Sequence, residues 1–161
     1  MNERAPGDIE QDGARLGEIG LQQFAPYLMN RIMGRYNASL RDDLAKLGLT
    51  IPKMRSLAVL SVIDGIVISR LAVYAVVEQS TLSRALDALE ADRLVRRTPD
   101  PDDSRATRIW ITEEGRAAFE TMWPTMRASY EKMFSGIDAE EHAALVATLQ
   151  KMLANIRKHD F

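Results

Sequence analysis

Apolar positions recur along most of this chain at helical spacing, with one interruption. From Phe24 to Leu47 they fall at Phe24, Leu28, Ile32, Tyr36, Leu40, Leu44 and Leu47, widened by Met29 and Met33. That 3.6-residue period predicts one long amphipathic helix, with Pro26 in its first turn and Gly48 at its end. Thr50-Ile51-Pro52 opens a second helix, with Thr50 as N-cap, running to about Ile63. Asp64-Gly65 reads as a turn, Ile66–Ile68 as a very short strand, and Arg70–Ala75 as a short helix opened by Ser69. Val76-Val77 links it to a helix over Gln79–Asp92, with Leu82, Ala85, Leu86 and Leu89 on one face. The interruption follows. Leu94–Thr98 and Ala106–Thr112 read as strands joined by the turn-rich Pro99–Ser104, a hairpin with a long tip. Thr112-Glu113-Glu114-Gly115 then starts a long helix through Phe119, Trp123 and Met133, in which Pro124 is expected to make a kink. Gly136 ends it, Asp138-Ala139-Glu140-Glu141 has the form of a capping box, and a last helix carries Leu145, Leu149, Leu153 and Ile156.

These elements divide the 161 residues into four parts. Residues 1–19, with three glycines, Pro6 and five acids, are expected to form a mobile arm. Residues 20–49 hold the first long helix, 50–112 a compact middle, and 113–161 the two C-terminal helices. The apolar stripes of the terminal helices are too long for the middle to cover, so a homodimer is expected. The class is mainly α with a small β-hairpin.

Composition narrows the function. There is no cysteine, which excludes disulfides and thiolate redox sensing. No run approaches 18 apolar residues and no signal-peptide core is present, so no membrane contact and a cytoplasmic location are expected. His142 and His159 lack the spacing of metal ligands, and no catalytic or nucleotide-binding string occurs. No metal, no cofactor and no enzymatic activity are expected. Net charge is −2, but residues 1–20 carry −3 and residues 113–161 carry −2, whereas Lys53–Arg108 carry nine bases against eight acids. Nucleic-acid binding must therefore rest on where the arginines sit rather than on bulk charge.

Two short helices across a tight link, followed by a hairpin, form the winged helix-turn-helix pattern. The second helix begins Gln79-Ser80-Thr81-Leu82-Ser83-Arg84. Its first turns are small and polar, as a helix needs to enter a major groove and offer hydrogen bonds without bulk.

The hairpin poses a puzzle of charge. Arg93–Gly115 holds five arginines and three aspartates, although aspartates repel phosphate. Arg105 and Asp103 are two apart, so in an extended segment they share a side and the carboxylate can hold the guanidinium. An arginine held in this way suits the narrow, negative minor groove. Asp100 and Asp102 then shape the turn, and Arg96, Arg97 and Arg108 are left for the DNA backbone.

The strings Ser69-Arg70-Leu71-Ala72, Ser80-Thr81-Leu82-Ser83-Arg84, Leu86-Asp87-Ala88-Leu89-Glu90 and Leu94-Val95-Arg96-Arg97 resemble the MarR (multiple antibiotic resistance regulator) family. More specific are Asp100-Pro101-Asp102-Asp103-Ser104-Arg105-Ala106 and Ile111-Thr112-Glu113-Glu114-Gly115-Arg116, and the likeness spans about residues 24–158. It implies a homodimer built on interlocking terminal helices, with Gln79, Ser80, Thr81, Ser83 and Arg84 facing the major groove. It also implies a wing in which Asp103 partners Arg105, and a pseudo-palindromic double-stranded operator. Repression relieved by a small aromatic or phenolic ligand is implied too. Candidate pocket residues are Met29, Met33, Tyr36, Met54 and Arg55, with Phe119 and Trp123.

Two positions depart from the family pattern. Arg93 stands where glycine is usual, which costs roughly 1 kcal/mol or more if the backbone is left-handed. Ser104 replaces a second wing arginine. Together with the acidic net charge, they keep open a second reading, a protein-interaction module that retains the winged fold without DNA binding.

Overall fold

The computed structural model describes residues 14–159. The chain divides between Ala38 and Ser39, inside one helix, into two compact units. In the first, Leu16–Ile19 form a single helical turn (α1), Leu21–Gln23 a 3-10 turn, and α2 starts at Ala25. The arm expected over residues 1–19 lies mostly outside the described residues; from Leu16 to Ile19 it is helical and exposed.

α2 ends at Lys46, and the second unit continues through α3 (Ile51–Val62), β1 (Ile66–Val67), α4 (Ile68–Ala75) and α5 (Gln79–Ala91). The wing strands β2 (Val95–Pro99) and β3 (Thr107–Ile111) come next, then α6 (Glu113–Met133) and α7 (Ala139–Ile156). The expected caps form. The Thr50 hydroxyl accepts from Lys53 N, that of Thr112 accepts from Gly115 N at 3.0 Å, and Asp138 and Glu141 complete a capping box. α4 begins at Ile68 rather than Arg70, because β1 passes straight into it with Val67 as N-cap. α6 runs unbroken through Pro124.

α3 is the centre of this unit and touches α4, α5, α6 and β3. Leu57 and Leu60 of α3, Leu71 of α4, Leu82, Leu86 and Leu89 of α5 and Ile109 of β3 are fully buried together. The sheet has the order β1-β3-β2, antiparallel throughout, with Ile66 opposite Ile109 and Val95 opposite Ile111. The short β1 thus anchors the hairpin to the helices.

The seam between α5, the hairpin and α6 explains two sequence strings. α5 ends with Arg93 in the left-handed region at φ 59°, while Leu94 N donates back to Leu89 O at 2.8 Å. This is a Schellman closure, which glycine ordinarily serves. It turns the Arg93 carbonyl toward Thr112, whose hydroxyl donates to it at 2.7 Å. Thr112 N donates to Leu94 O at 3.0 Å. Gly115 lies so close that a Cβ there would stand 2.0 Å from Leu94 O and 2.8 Å from Ile111 Cγ1. Asp64 closes the seam from the other side. Its Oδ1 accepts from Gly65 N at 3.0 Å and Ile111 N at 2.9 Å, and its Oδ2 accepts from Arg116 Nη2 at 3.0 Å.

Two substitutions test this seam by urea unfolding. Gly115→Val forces the Leu94 backbone, just before β2, away from α6 and should destabilise the protein by about 3 kcal/mol. Arg93→Gly removes the left-handed penalty but adds freedom to the unfolded chain, so it should stabilise by about 0.5–1 kcal/mol. A loss of stability from Arg93→Gly would contradict the assignment of strain to that residue.

Candidate nucleic-acid interface

α4 and α5 meet at a turn that is itself strained. Val76 is left-handed at φ 52°, unusual for a β-branched residue, and Val77 N donates back to Ala72 O at 3.1 Å. The guanidinium of Arg55 donates to the Val76 carbonyl at 3.1 Å and so holds the turn from α3. α5 then lays Leu82, Ala85, Leu86 and Leu89 on the core. The sequence-chosen residues come out on its other side: Gln79, Ser80, Ser83 and Arg84 are exposed and Thr81 is half-buried.

The hairpin tip is built on the carboxylate of Asp100, which is buried although charged. Oδ1 accepts from Asp102 N at 2.8 Å and Asp103 N at 3.0 Å, and Oδ2 accepts from Arg108 Nε at 2.6 Å. Arg108 Nη1 also donates to Gly65 O at 2.8 Å, which ties the tip to the turn before β1. The N–H groups of Asp102 and Asp103, with the Arg108 guanidinium, hold the Asp100 carboxyl below the usual aspartate value against the opposing effect of burial. From this tip Asp103 Oδ1 accepts from both Arg105 N at 3.0 Å and Arg105 Nε at 3.3 Å. The Arg105 side chain is otherwise 89% exposed.

The structure corrects the expectation that Arg97 and Arg108 are left for the DNA backbone. Arg108 is spent on Asp100 and Gly65. Arg97 is spent on α5, with Nη2 on Asp87 Oδ1 and Nη1 on Glu90 Oε2, each at 2.7 Å. Arg96 stacks on Trp110 with its guanidinium 5.0 Å from the ring centroid, and Trp110 Nε1 donates to Thr98 Oγ1 at 2.8 Å. The sequence reading missed the roles of Asp64, Asp87 and Glu90. The only signal for the latter two was their spacing of three on a helix, which puts both carboxylates on one side.

The candidate ligand residues are dispersed. Met54 is buried in the core, and Arg55 serves the Val76 turn. In the first unit, Met29 and Tyr36 are half-buried and Met33 is exposed, and burial pushes the Tyr36 hydroxyl pKa up. Phe119 and Trp123 do come together, on a groove of about 680 Å³ between α3 and α6 that is also lined by Ala58, Val62 and Met126. Among the described residues, no cluster of histidine and acidic side chains is placed to hold a metal, and no helix is long and apolar enough to cross a membrane.

A helix with an exposed polar start, set beside a three-stranded sheet with an arginine-tipped hairpin, defines a winged helix-turn-helix domain. Comparison with known proteins specifies it further. The sequence profile of the MarR family matches residues 47–106. A crystal structure of a MarR-family transcriptional regulator from Silicibacter pomeroyi is 57% identical and superposes with a TM-score of 0.87, covering 92% of this chain and 100% of that one. The HTH-type transcriptional repressor IacR of Pseudomonas putida is 28% identical over 86% of this chain and 83% of its own length. Bordetella bronchiseptica BpsR, whose structure concerns regulation of its DNA binding by 6-hydroxynicotinic acid, is 25% identical with a TM-score of 0.69 over 79% of this chain and 96% of that one. The chain belongs to the MarR family of transcriptional regulators.

The Asp100 site makes a prediction about acid stability. Its folded pKa lies below the ordinary value, so its contacts contribute stability that is complete above about pH 3.9 and lost as pH falls through the lowered value. Asp100→Asn should be less stable than wild type at pH 7 and flatter than wild type below about pH 4 in urea midpoints. Parallel acid limbs in the two proteins would remove Asp100 from the account.

Proposed function

We propose that this regulator is a homodimeric repressor that binds a pseudo-palindromic DNA operator and is released by a small aromatic ligand. One observation carries the reading. The outward polar start of α5 and the exposed Arg105 stand on one compact unit, and Asp103 restrains that arginine at both its backbone and its Nε. In this reading Gln79, Ser80, Thr81, Ser83 and Arg84 enter the major groove while Arg105, braced by Asp103, enters the adjacent minor groove. Such a residue gives up little freedom on binding, which is what a low-charge DNA reader needs.

Dimerisation through residues 20–49 and 113–161 is supported by α7, which buries none of its residues and leaves Leu145, Leu149, Leu153 and Ile156 exposed along one side. Release by a small aromatic compound is supported by the apolar α3–α6 groove, lined by Phe119 and Trp123, and by the ligand named for BpsR. The groove opens beside Ser61, whose carbonyl accepts from Arg116, and Arg116 also holds Asp64. A ligand there would act on the base of the wing. The protein works on DNA in the cytoplasm as a regulator and not as an enzyme.

A mobility-shift titration tests the reading on duplexes enriched from random sequence. Arg105→Ala should lose about tenfold in affinity with its oligomeric state unchanged. The dependence of log K on log salt should also flatten by about one unit. Equal binding by wild type and Arg105→Ala would mean a wing that does not reach DNA, and absence of binding by either would favour the protein-interaction alternative.

A further inference from the structure

Asp87 and Glu90 lie on α5 one turn apart, just beyond Ser83 and Arg84, and both are substantially exposed. Two carboxylates beside a DNA-reading surface would repel phosphate. One guanidinium takes both. Arg97 forms two 2.7 Å contacts, one to each carboxylate, from β2. It is paired there with Ile109 of β3, on the two strands that carry the tip bearing Arg105. Its guanidinium is planar with a fixed fork of donors, so two carboxylates held at once restrict angle as well as distance. Exposed ion pairs add little to stability. What this pair governs is how the hairpin stands against α5.

We propose that Arg97 is a positioning residue for DNA binding: by clamping Asp87 and Glu90 of α5 to β2, it sets where Arg105 stands relative to the polar start of α5. The proposal rests on the reading that α5 and the wing bind DNA together. Arg97 itself touches no DNA in this account. It also keeps the two carboxylates turned away from the phosphates that border the groove.

The test is a double-mutant cycle between Arg97 and Arg105, which share no partner and would otherwise contribute independently. Wild type, Arg97→Ala, Arg105→Ala and the double variant are titrated against one duplex enriched by the wild-type protein, at several salt concentrations. Arg97→Ala should weaken binding about tenfold and flatten the salt slope by about one unit, as Arg105→Ala does, since the misplaced wing takes Arg105 off the DNA. In the Arg97→Ala background, removal of Arg105 should cost less than threefold, because a misplaced wing no longer reaches its groove. Arg97→Lys keeps the charge but not the fork, and should behave in the cycle as Arg97→Ala does. Urea midpoints of all variants establish that they are folded. Losses that add in affinity or in salt slope, a salt slope unchanged on loss of Arg97, or full rescue by lysine would each overturn the proposal. A wild-type protein that enriches no sequence at all would overturn the DNA reading beneath it, an outcome distinct from those three.

Discussion

The buried carboxylate of Asp100 is the point on which the wing depends. Its two oxygens accept from two backbone N–H groups of the turn and from the Arg108 guanidinium, which reaches on to the Gly65 carbonyl. A charge in that position is tolerable only because every side of it is satisfied. The result is a turn of one shape, held to the body of the domain at its tip as well as through its strands. Asp103 follows from that shape. Its backbone N–H is fixed by Asp100, its side chain is set beside Arg105, and the exposed guanidinium acquires a direction that the tip alone would not give it. Asp100 and Asp103 are therefore the framework of this hairpin, and their charges are met by Arg108 and Arg105.

At the other end of the hairpin the constraint is steric rather than electrostatic. Gly115 lets α6 start against the Leu94 carbonyl, and Thr112 caps α6 while donating to the Arg93 carbonyl. Arg93 accepts a left-handed backbone to present that carbonyl. Asp64 joins the end of α3, the last residue of β3 and the first turn of α6 through three hydrogen bonds. In the proposed function, an apolar ligand in the neighbouring groove would act on the base of the wing through these three hydrogen bonds.

Much of this was legible in the residues. The helices over Ala25–Lys46, Ile51–Val62, Gln79–Ala91 and Ala139–Ile156 follow from apolar period and caps, which are local properties of sequence. The Asp103–Arg105 pair was legible for the same reason, since a spacing of two in extended chain fixes its geometry. The partners of Arg97 and Arg108 were not. They lie seven to ten residues away on other elements, and Gly65 lies 43 away, so only the fold brings them together. Arg93 was recognised as out of place, but its left-handed backbone is a property of the helix end and not of the residue. The dispersal of Met54 and Arg55 from the groove at Phe119 and Trp123 has a similar cause. Apolar and basic residues at helical spacing do not announce whether they face a core, a turn or an opening.

A regulator with a mildly acidic chain can read DNA if its few outward cations are fixed in place and its others are occupied internally. Two such units in a dimer would present two α5 helices to successive major grooves, with Arg105 in the flanking minor grooves. Selection of bound duplexes from random sequence measures that arrangement as a whole. The account predicts enrichment of an inverted repeat whose half-sites are centred about 10–10.5 base pairs apart, or a multiple of that, flanked by A·T-rich steps. Enrichment of a single, unpaired half-site with no preference in its flanks would contradict it.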